Sequence, residues 1–391
     1  MHALRKRSVL AASALALCTL ARLTYAEPFA PDIEDNVQKA AKKVMEQYAI
    51  PGLAIAISDN GKQQFYTFGL ASKATDARVT PDTLFEVGSI SKLFTATLAS
   101  YAQVEGKLSF TDPVGHFLPA LQGSAFGKVT LLHLATHTAG GFPLQVPDSV
   151  HNEQQLLSYL QAWKPSYPAS THRTYANPSI GMLGVIAAKS LKLPFVAAMQ
   201  NTLYPALGLS STYLSVPPDK MPLYAQGYDK QDQPIRLTQD VLADEAYGVR
   251  TSARDLIHFA QLNLQAERAN TVIDRALLNT HTGYFQVGPM TQDLIWEQYA
   301  QPVTLAHLLE GNSNAMAYET QKAVALNPPQ PPRKAVWLNK TGSTSGFGGY
   351  IALLPDKKQA VVILANKNYP NSARVELAYA IFNALKQVGS Q

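Results

Sequence analysis

The sequence is nearly free of cysteine: among its 391 residues only Cys18 occurs, in an apolar stretch near the N-terminus. Because a disulfide needs two thiols, this composition excludes a fold held together by disulfides within the chain. It equally excludes a metal site built from several cysteines.

Long hydrophobic runs are absent as well. The apolar stretch at residues 9–17 is far shorter than the about 20 residues of a membrane-spanning helix. It follows basic residues 5–7 and precedes the sequence Thr-Tyr-Ala at residues 24–26. This order predicts a secretory signal peptide over residues 1–26, with cleavage after Ala26.

The predicted signal peptide contains the single cysteine. A lipoprotein site needs a small residue before its cysteine, and Leu17 occupies that position, so we expect no membrane anchor. Cleavage leaves residues 27–391 without any thiol. An exported chain without disulfides fits a bacterial periplasm better than a small disulfide-stapled extracellular module.

Charge is also scarce, at 16% of residues, and the formal net charge is +5. The four basic residues of the predicted leader have no acidic counterpart, so the chain without it carries +1. This balance gives no support to a nucleic-acid or anionic-membrane partner. With 46% hydrophobic residues the chain can bury a large core, and we expect a monomer.

Strand patterns occur at both ends of the chain, whereas the middle has mostly helical spacing. Such a distribution predicts an α+β fold: an antiparallel sheet built from both chain ends, flanked by the terminal helices, with an all-helical lobe inserted between them. The proline-rich residues 327–332 are predicted to be a surface connector. The predicted strands are residues 53–58, 64–69, 335–339, 349–354 and 360–365, and the predicted helices include residues 35–48, 153–163, 179–190, 254–264 and 373–385.

Residues 89–92 have the sequence Ser-Ile-Ser-Lys and begin a predicted helix. Positions three apart share one helix face, so the amine of Lys92 can reach the hydroxyl of Ser89 and accept its proton. Free N–H groups at a helix start suit an oxyanion that forms on an attacked carbonyl. Taken alone, the same string more often indicates a serine that caps a helix and a solvated lysine.

Two further segments carry suitable chemistry. Tyr175 and Asn177 alternate before a helix, where a phenol beside an ammonium can shuttle protons and an amide can hold a carbonyl. Residues 340–343, Lys-Thr-Gly-Ser, end a strand, where a cation and a hydroxyl can bind a carboxylate. The glycines that follow lack the spacing of a nucleotide site.

His133 and His137 are four residues apart, as in a zinc-protease helix, but no glutamate lies between them and no third ligand is evident. We therefore expect a structural histidine pair and no metal.

The three segments together resemble the penicillin-recognising serine acyltransferases, and most closely the class C (AmpC-type) β-lactamases. In the related class A enzymes Ser-Asp-Asn occupies the middle position, where this chain has Tyr-Ala-Asn. Other matching stretches are residues 134–141, 143–145, 245–249 and 364–370. The resemblance implies a β-lactamase/transpeptidase-like fold, hydrolysis of cephalosporins and penicillins, and no cofactor.

The resemblance also implies roles for individual residues. Ser89 would be acylated, Lys92 and Tyr175 would transfer protons, and the N–H groups of Ser89 and Ser343 would form the oxyanion hole. Lys340 would be a fourth catalytic residue, beside Ser89, Lys92 and Tyr175. The substrate's amide side chain would be held by Gln145 and Asn177 beside Tyr247, and its carboxylate would face Lys340, Thr341, Asn368, Asn371 and Arg374, with Gly342 allowing close approach.

Glu153 faintly matches the deacylating glutamate of class A enzymes, but it precedes Tyr175 rather than following it, so we interpret it as a helix-face residue. Two alternatives remain open on the motifs alone: a D-alanyl-D-alanine peptidase or esterase of the same fold, and a penicillin sensor that acylates and stalls.

Overall fold

A computed structural model describes residue 29, residues 31–268 and residues 270–388. The predicted signal peptide, its cleavage site and Cys18 lie outside the described residues. The α-helices are α1 Pro31–Tyr48, α2 Ser91–Val104, α3 Val114–Phe117, α4 Leu131–Ala135, α5 Glu153–Ala162, α6 Asn177–Ser190, α7 Phe195–Ala197, α8 Tyr204–Ala206, α9 Ala243–Ala246, α10 Ala253–Gln265, α11 Val272–Asn279, α12 Leu305–Gly311, α13 Asn314–Tyr318 and α14 Asn371–Val388.

The main sheet has ten strands, all antiparallel, in the order β14-β10-β11-β12-β15-β16-β17-β1-β2-β3. The strands of the described residues are β1 Gly52–Asp59, β2 Lys62–Ser72, β3 Ala77–Arg78, β4 Leu84–Glu86, β5 His172–Arg173, β6 Thr212–Tyr213, β7 Gly227–Tyr228, β8 Pro234–Ile235, β9 Arg250–Ser252, β10 Gly283–Val287, β11 Met290–Gln292, β12 Glu297–Ala300, β13 Gln321–Lys322, β14 Val324–Gln330, β15 Val336–Ser343, β16 Gly348–Leu354 and β17 Gln359–Ala365.

The two chain ends meet in the middle of this sheet. β1 pairs with β17, with Leu53 opposite Ala365, and with β2 across the tight turn at Asn60 and Gly61. Both turn residues have positive φ, as the two-residue hairpin requires. The apolar stripes of α1 and α14 cover one face of the sheet. The prediction of an α+β fold with an antiparallel sheet from both ends is confirmed.

The middle of the chain contributes more strand than its sequence predicts. β10, β11, β12 and β14 extend the sheet beyond β15. The prediction of residues 327–332 as a plain connector is wrong for residues 327–330, which lie in edge strand β14. Proline is tolerated there because an edge strand needs no N–H donor on its open side. Glutamines in these strands hide the usual alternation of apolar residues.

The opposite face of the sheet packs on the helical lobe. α2 lies at its centre, with Leu93, Phe94 and Leu98 at most 1% exposed, and α6 packs beside it. Both helices are buried nearly all round, so the side chains at their first turns are held in fixed positions. Among the described residues no single helix is long and apolar enough to cross a membrane, although one pair bent by 77°, α6 with residues 195–206, passes by length and composition.

Candidate active site

A cleft of about 440 Å³ opens where the start of α2, the start of α6 and the end of β15 meet. Most of the residues predicted from the sequence line it, although they come from segments more than 200 positions apart. The predicted residues that line the cleft are Ser89, Gln145, Tyr175, Asn177, Tyr247, Lys340, Thr341, Gly342, Ser343, Asn368 and Asn371.

Ser89 lies in a 3₁₀ turn, Gly88–Ile90, that leads directly into α2. The ammonium of Lys92, which is completely buried, donates to Ser89 Oγ at 2.9 Å and to the carbonyl of Ala246 at 2.9 Å. The Ser89 side chain makes no capping hydrogen bond to the start of α2. The interpretation of this pair as a cap and a solvated lysine is therefore wrong.

Burial lowers the pKa of Lys92; Tyr175 opposes this and the nearby charge of Lys340 adds to it, and the net pKa is about 8. A lysine with an ordinary pKa would be protonated almost always near neutral pH. With a pKa of about 8, an appreciable fraction of Lys92 is neutral and can accept a proton from Ser89.

Tyr175 lies between two lysines. The Nζ atoms of Lys92 and Lys340 are 5.2 Å and 5.1 Å from its ring centroid. Burial alone would raise the pKa of Tyr175, but the charges of Lys340 and Lys92 and the closeness of Ser89 outweigh it and bring the pKa to about 8. The hydroxyl makes no hydrogen bond of good geometry to any described residue. Catalytic hydrogen bonds often tighten only when substrate binds.

Glu297, which was not predicted from the sequence, stabilises the protonated form of Lys340. Its carboxylate is 3.4 Å from Lys340 Nζ and 3.5 Å from the guanidinium of Arg173, and all three side chains are buried. Asn339 donates to the other oxygen at 3.1 Å. Burial alone would lower the pKa of Lys340, but the negative charge of Glu297 outweighs burial and raises it. Lys340 therefore stays cationic beside Tyr175.

We expect Glu297→Gln to lower the free energy of unfolding by roughly 3 kcal/mol, because it leaves two buried cations without their anion. Chemical denaturation of the purified variant measures this change. Glu376→Gln, at an exposed position of α14, is the matched control and should change it by less than about 0.5 kcal/mol. Equal effects of the two substitutions would contradict a structural role for the buried carboxylate.

Two glycines bring the Ser89 turn against the end of β15. Gly88 has a φ of +49°, and a Cβ built there would lie 2.5 Å from the backbone N of Ser343. A Cβ on Gly342 would lie 2.8 Å from the N of Ile90 and would overlap the carbonyl of Val87. This close packing places the backbone of Ser343 beside the turn that carries Ser89, as an oxyanion hole from their two N–H groups requires.

We expect Gly88→Ala to lower kcat by roughly 10²–10³-fold, as the loss of an oxyanion-hole donor does, because the methyl group pushes Ser343 away. Steady-state kinetics with a chromogenic cephalosporin measures the change. Gly106→Ala separates this effect from backbone strain, since Gly106 also has positive φ (+67°) but nothing within 4 Å of its Cβ position. Similar losses of kcat in both variants would contradict a role for the close contact between Gly88 and Ser343.

Asn177 is the first residue of α6 and lies in the cleft beside Gln145. Its backbone N–H donates to the carbonyl of Leu144 at 2.8 Å, which ties the two segments together. The Oδ1 atom of Asn177 is buried without a partner among the described residues. An amide N–H of a substrate would satisfy it. Tyr247 also lines the cleft, with its pKa raised to about 12 by burial and by nearby acidic groups.

Arg374 does not take the place that the resemblance implies. It is completely buried and does not line the cleft. Its guanidinium donates to the carbonyl of Gly342, to Ser343 Oγ and to Asn368 Oδ1, each at 2.8–2.9 Å. The expectation that it faces a substrate carboxylate is corrected: its donors hold the end of β15 and the loop before α14 in position.

The two histidines have structural partners. His133 contacts Thr130 at 3.0 Å and Ser170 at 2.8 Å, and His137 packs its ring 4.5 Å from that of Tyr175. Burial lowers the pKa of His137 well below its usual value, so the ring is neutral beside the cationic groups. The described residues contain no group of three or more His, Cys, Asp or Glu side chains arranged to hold a metal. Glu153 is exposed in the first turn of α5 and does not line the cleft.

The site places a serine beside a buried lysine, at a helix start that abuts a strand end. This arrangement suits a hydrolase that acts through an acyl-enzyme. Comparison with known proteins identifies the family. Residues 37–386 match the model of the Beta-lactamase family. The chain belongs to the beta-lactamase family.

Individual relatives agree with this assignment. A β-lactamase from Lysobacter lactamgenus is 47% identical over 377 residues, which cover 96% of this chain and 98% of that protein. The fold superimposes with a TM-score of 0.88 on a β-lactamase/D-alanine carboxypeptidase from Pseudomonas syringae, at 56% identity, covering 90% of this chain and 98% of that one. A class C β-lactamase in complex with cefoxitin superimposes with a TM-score of 0.87, at 48% identity and with the same shares covered. The resemblance to class C enzymes is confirmed.

Proposed function

We propose that this protein hydrolyses the lactam amide bond of cephalosporins and penicillins through an acyl-enzyme on Ser89. The observation that carries the proposal is the hydrogen bond between the buried amine of Lys92 and Ser89 Oγ in a cleft flanked by Tyr175 and Lys340. The chain is a serine β-lactamase of class C, and the roles of its individual residues are the proposal.

In the first step Ser89 Oγ attacks the lactam carbonyl and loses its proton to Lys92 or Tyr175. The negative charge moves onto the carbonyl oxygen, which the N–H groups of Ser89 and Ser343 stabilise. The tetrahedral intermediate collapses when the carbon–nitrogen bond breaks and the nitrogen receives a proton from Tyr175. Because Lys340 stays cationic, it favours the phenolate that remains.

In the second step water attacks the ester on Ser89. No carboxylate is required in this proposal, since Tyr175 as phenolate, with Lys92 beside it, accepts the proton of the water. The proton then returns to Ser89 Oγ as the ester bond breaks, and the penicilloate or cephalosporoate leaves.

The walls of the cleft give the substrate one orientation. Gln145 and Asn177 face its amide side chain beside Tyr247. Lys340, Thr341, Asn368 and Asn371 face its carboxylate.

We further propose that residues 1–26 direct export to the periplasm and are removed, and that residues 27–391 form one catalytic domain without a membrane anchor. In solution the mature protein is a monomer in this proposal. Mass spectrometry of the protein recovered from periplasm, with light scattering of the same sample, tests cleavage, location and association state.

The experiment for the proposed reaction gives purified protein a chromogenic cephalosporin in large excess. Many turnovers per enzyme are expected, while a single stoichiometric burst would indicate a sensor that stalls as an acyl-enzyme.

A second candidate activity is removal of terminal D-alanine from peptides, because the Pseudomonas syringae relative is both a β-lactamase and a D-alanine carboxypeptidase. Both reactions would use Ser89. We expect kcat/KM for the cephalosporin to exceed that for a D-alanyl-D-alanine peptide by at least about 100-fold. A larger value for the peptide would make the carboxypeptidase the main activity.

A further inference from the structure

One segment of the chain, residues 237–247, separates the active-site cleft from a second cavity. Asp240 and Tyr247 line the cleft, whereas Leu242 and Glu245 line the cavity on the other side. We call this segment the wall segment and the space behind it the rear cavity. The rear cavity has a volume of about 530 Å³, large enough for a small organic molecule.

The wall segment is fastened to α6 at two glycines. Leu242 adopts a left-handed backbone conformation (φ +62°), which a bulky residue rarely does, and its Cβ packs over Gly181. Glu245 packs in the same way over Gly184, where an added Cβ would lie 3.0 Å from Glu245 Cβ. These contacts fix the wall segment, so the rear cavity is part of the folded architecture.

Apolar side chains form most of the surface of the rear cavity. They include Leu156 from α5, Met182 and Val185 from α6, and Phe195 from α7. The charged groups at its edge, Glu153, Lys189 and Lys192, are exposed, where solvent screens them.

Glu245 is the exception among the inner groups. It lines the cavity, and no basic side chain of the described residues forms an ion pair with it. Burial raises its pKa to about 7, against the opposing effect of a hydrogen bond from its own backbone N–H and with a further increase from Asp244. Glu245 is half-buried, so its carboxylate is partly desolvated, and a ligand that supplies a cation gains an ion pair in a poorly solvated place.

We propose that the rear cavity binds a small apolar molecule that carries one protonated amine, with the amine paired to Glu245 and the apolar body packed against Leu156, Val185 and Phe195. The site is distinct from the catalytic cleft, from which the wall segment separates it. It adjoins the catalytic helix, because Thr95 Oγ1 donates to the carbonyl of Glu245 at 2.6 Å and Lys92 donates to that of Ala246.

The test uses three matched probes: 4-phenylbutylamine, the neutral 4-phenylbutan-1-ol and the anionic 4-phenylbutanoate. Isothermal titration calorimetry at pH 8 is expected to show the amine binding at least about tenfold more tightly than the alcohol, since a close charge pair is worth that much or more. The anion is expected to bind weakest. Equal binding of amine and alcohol, or tightest binding of the anion to the rim lysines, would overturn the proposal.

Glu245→Gln removes the charge and keeps the shape of the side chain. It should reduce amine binding at pH 8 by about tenfold or more and leave alcohol binding unchanged. Val185→Phe, at a half-buried position, fills the cavity instead and should abolish binding of all three probes. Circular dichroism verifies that each variant is folded. Amine binding that survives both substitutions would place the amine elsewhere and refute the assignment.

The pH dependence adds a further check. The charged groups around Glu245 are Asp244 on its own helix, Lys92 on α2, Lys189 at the end of α6, Lys192 in the following turn and Glu153 on α5. Since Glu245 has a pKa of about 7, lowering the pH from 8 to 5.5 protonates most of it and should weaken amine binding toward the level of the Glu245→Gln variant, by up to about thirtyfold. Alcohol binding should not follow this trend. A flat amine profile would contradict pairing with Glu245.

Discussion

Ser89→Ala is expected to abolish turnover of a chromogenic cephalosporin, with a loss in kcat of roughly 10⁴-fold or more. The substitution removes the oxygen that forms the ester in the proposed mechanism. Ser89 Oγ accepts a hydrogen bond from Lys92 in an otherwise open cleft, so we expect its removal to leave the surrounding packing intact.

The control for this variant is Ser158→Ala, at an exposed position on α5. It should retain turnover within about twofold of the parent. Thermal unfolding of both variants verifies that neither loses the fold. Retention of fast turnover by the Ser89 variant would exclude the whole mechanism.

Tyr175→Phe is expected to lower kcat/KM by roughly 10²–10⁴-fold, the range for loss of a positioned general acid–base group. The substitution keeps the ring between the two lysines and removes the hydroxyl. Tyr159→Phe, at a half-buried position of α5 that does not line the cleft, is the matched control. We expect it to change kcat/KM by less than about threefold.

The proposed mechanism also predicts the direction in which kcat/KM changes with pH. Lys92 and Tyr175, the two groups proposed to accept the proton of Ser89, both have a pKa of about 8 in the free protein. Below pH 8 most molecules hold both protons, and the fraction with a free base falls as the pH drops, so kcat/KM of the parent should rise with pH and level off above about 8.

In Tyr175→Phe the residual activity should rise at lower pH than in the parent. The negative charge of Tyr175 raises the pKa of Lys92, and its removal lowers that pKa further. Stopped-flow measurement of acylation between pH 5 and 10 distinguishes the profiles. An unchanged midpoint would contradict the coupling of the two groups.

Much of the site could be predicted because its chemistry resides in short local patterns. Ser89 and Lys92 share one helical turn, and Tyr175 and Asn177 lie two residues apart before a helix. Their meeting with Lys340 could be predicted only from the resemblance to a family, since no local rule brings segments so distant in sequence together.

Glu297 and Arg374 show where prediction from sequence ended. Glu297 reaches Lys340 across neighbouring strands, because Glu297 lies opposite Asn339 in the pairing of β12 with β15. That register is set by the sheet and leaves no trace in the local sequence. The family resemblance predicts that Arg374 binds a substrate carboxylate. In the structure its N–H groups instead donate to carbonyls of the surrounding loop and strands.

Strands β10, β11 and β12 were not predicted from the sequence, for a related reason. β10, β11 and β12 are short and contain buried glutamines at positions 292 and 298, whose amide nitrogens donate hydrogen bonds within the fold. A buried polar side chain that finds its partner in the folded chain looks, in the sequence alone, like a solvent-exposed residue.

The most direct test of the acyl-enzyme is mass spectrometry of the protein after rapid acid quench during reaction with cefoxitin. We predict a covalent adduct whose peptide mapping places it on Ser89, which forms in the parent, accumulates in Tyr175→Phe and is absent from Ser89→Ala. An adduct on another residue, or turnover in the parent without any adduct on Ser89, would contradict the account.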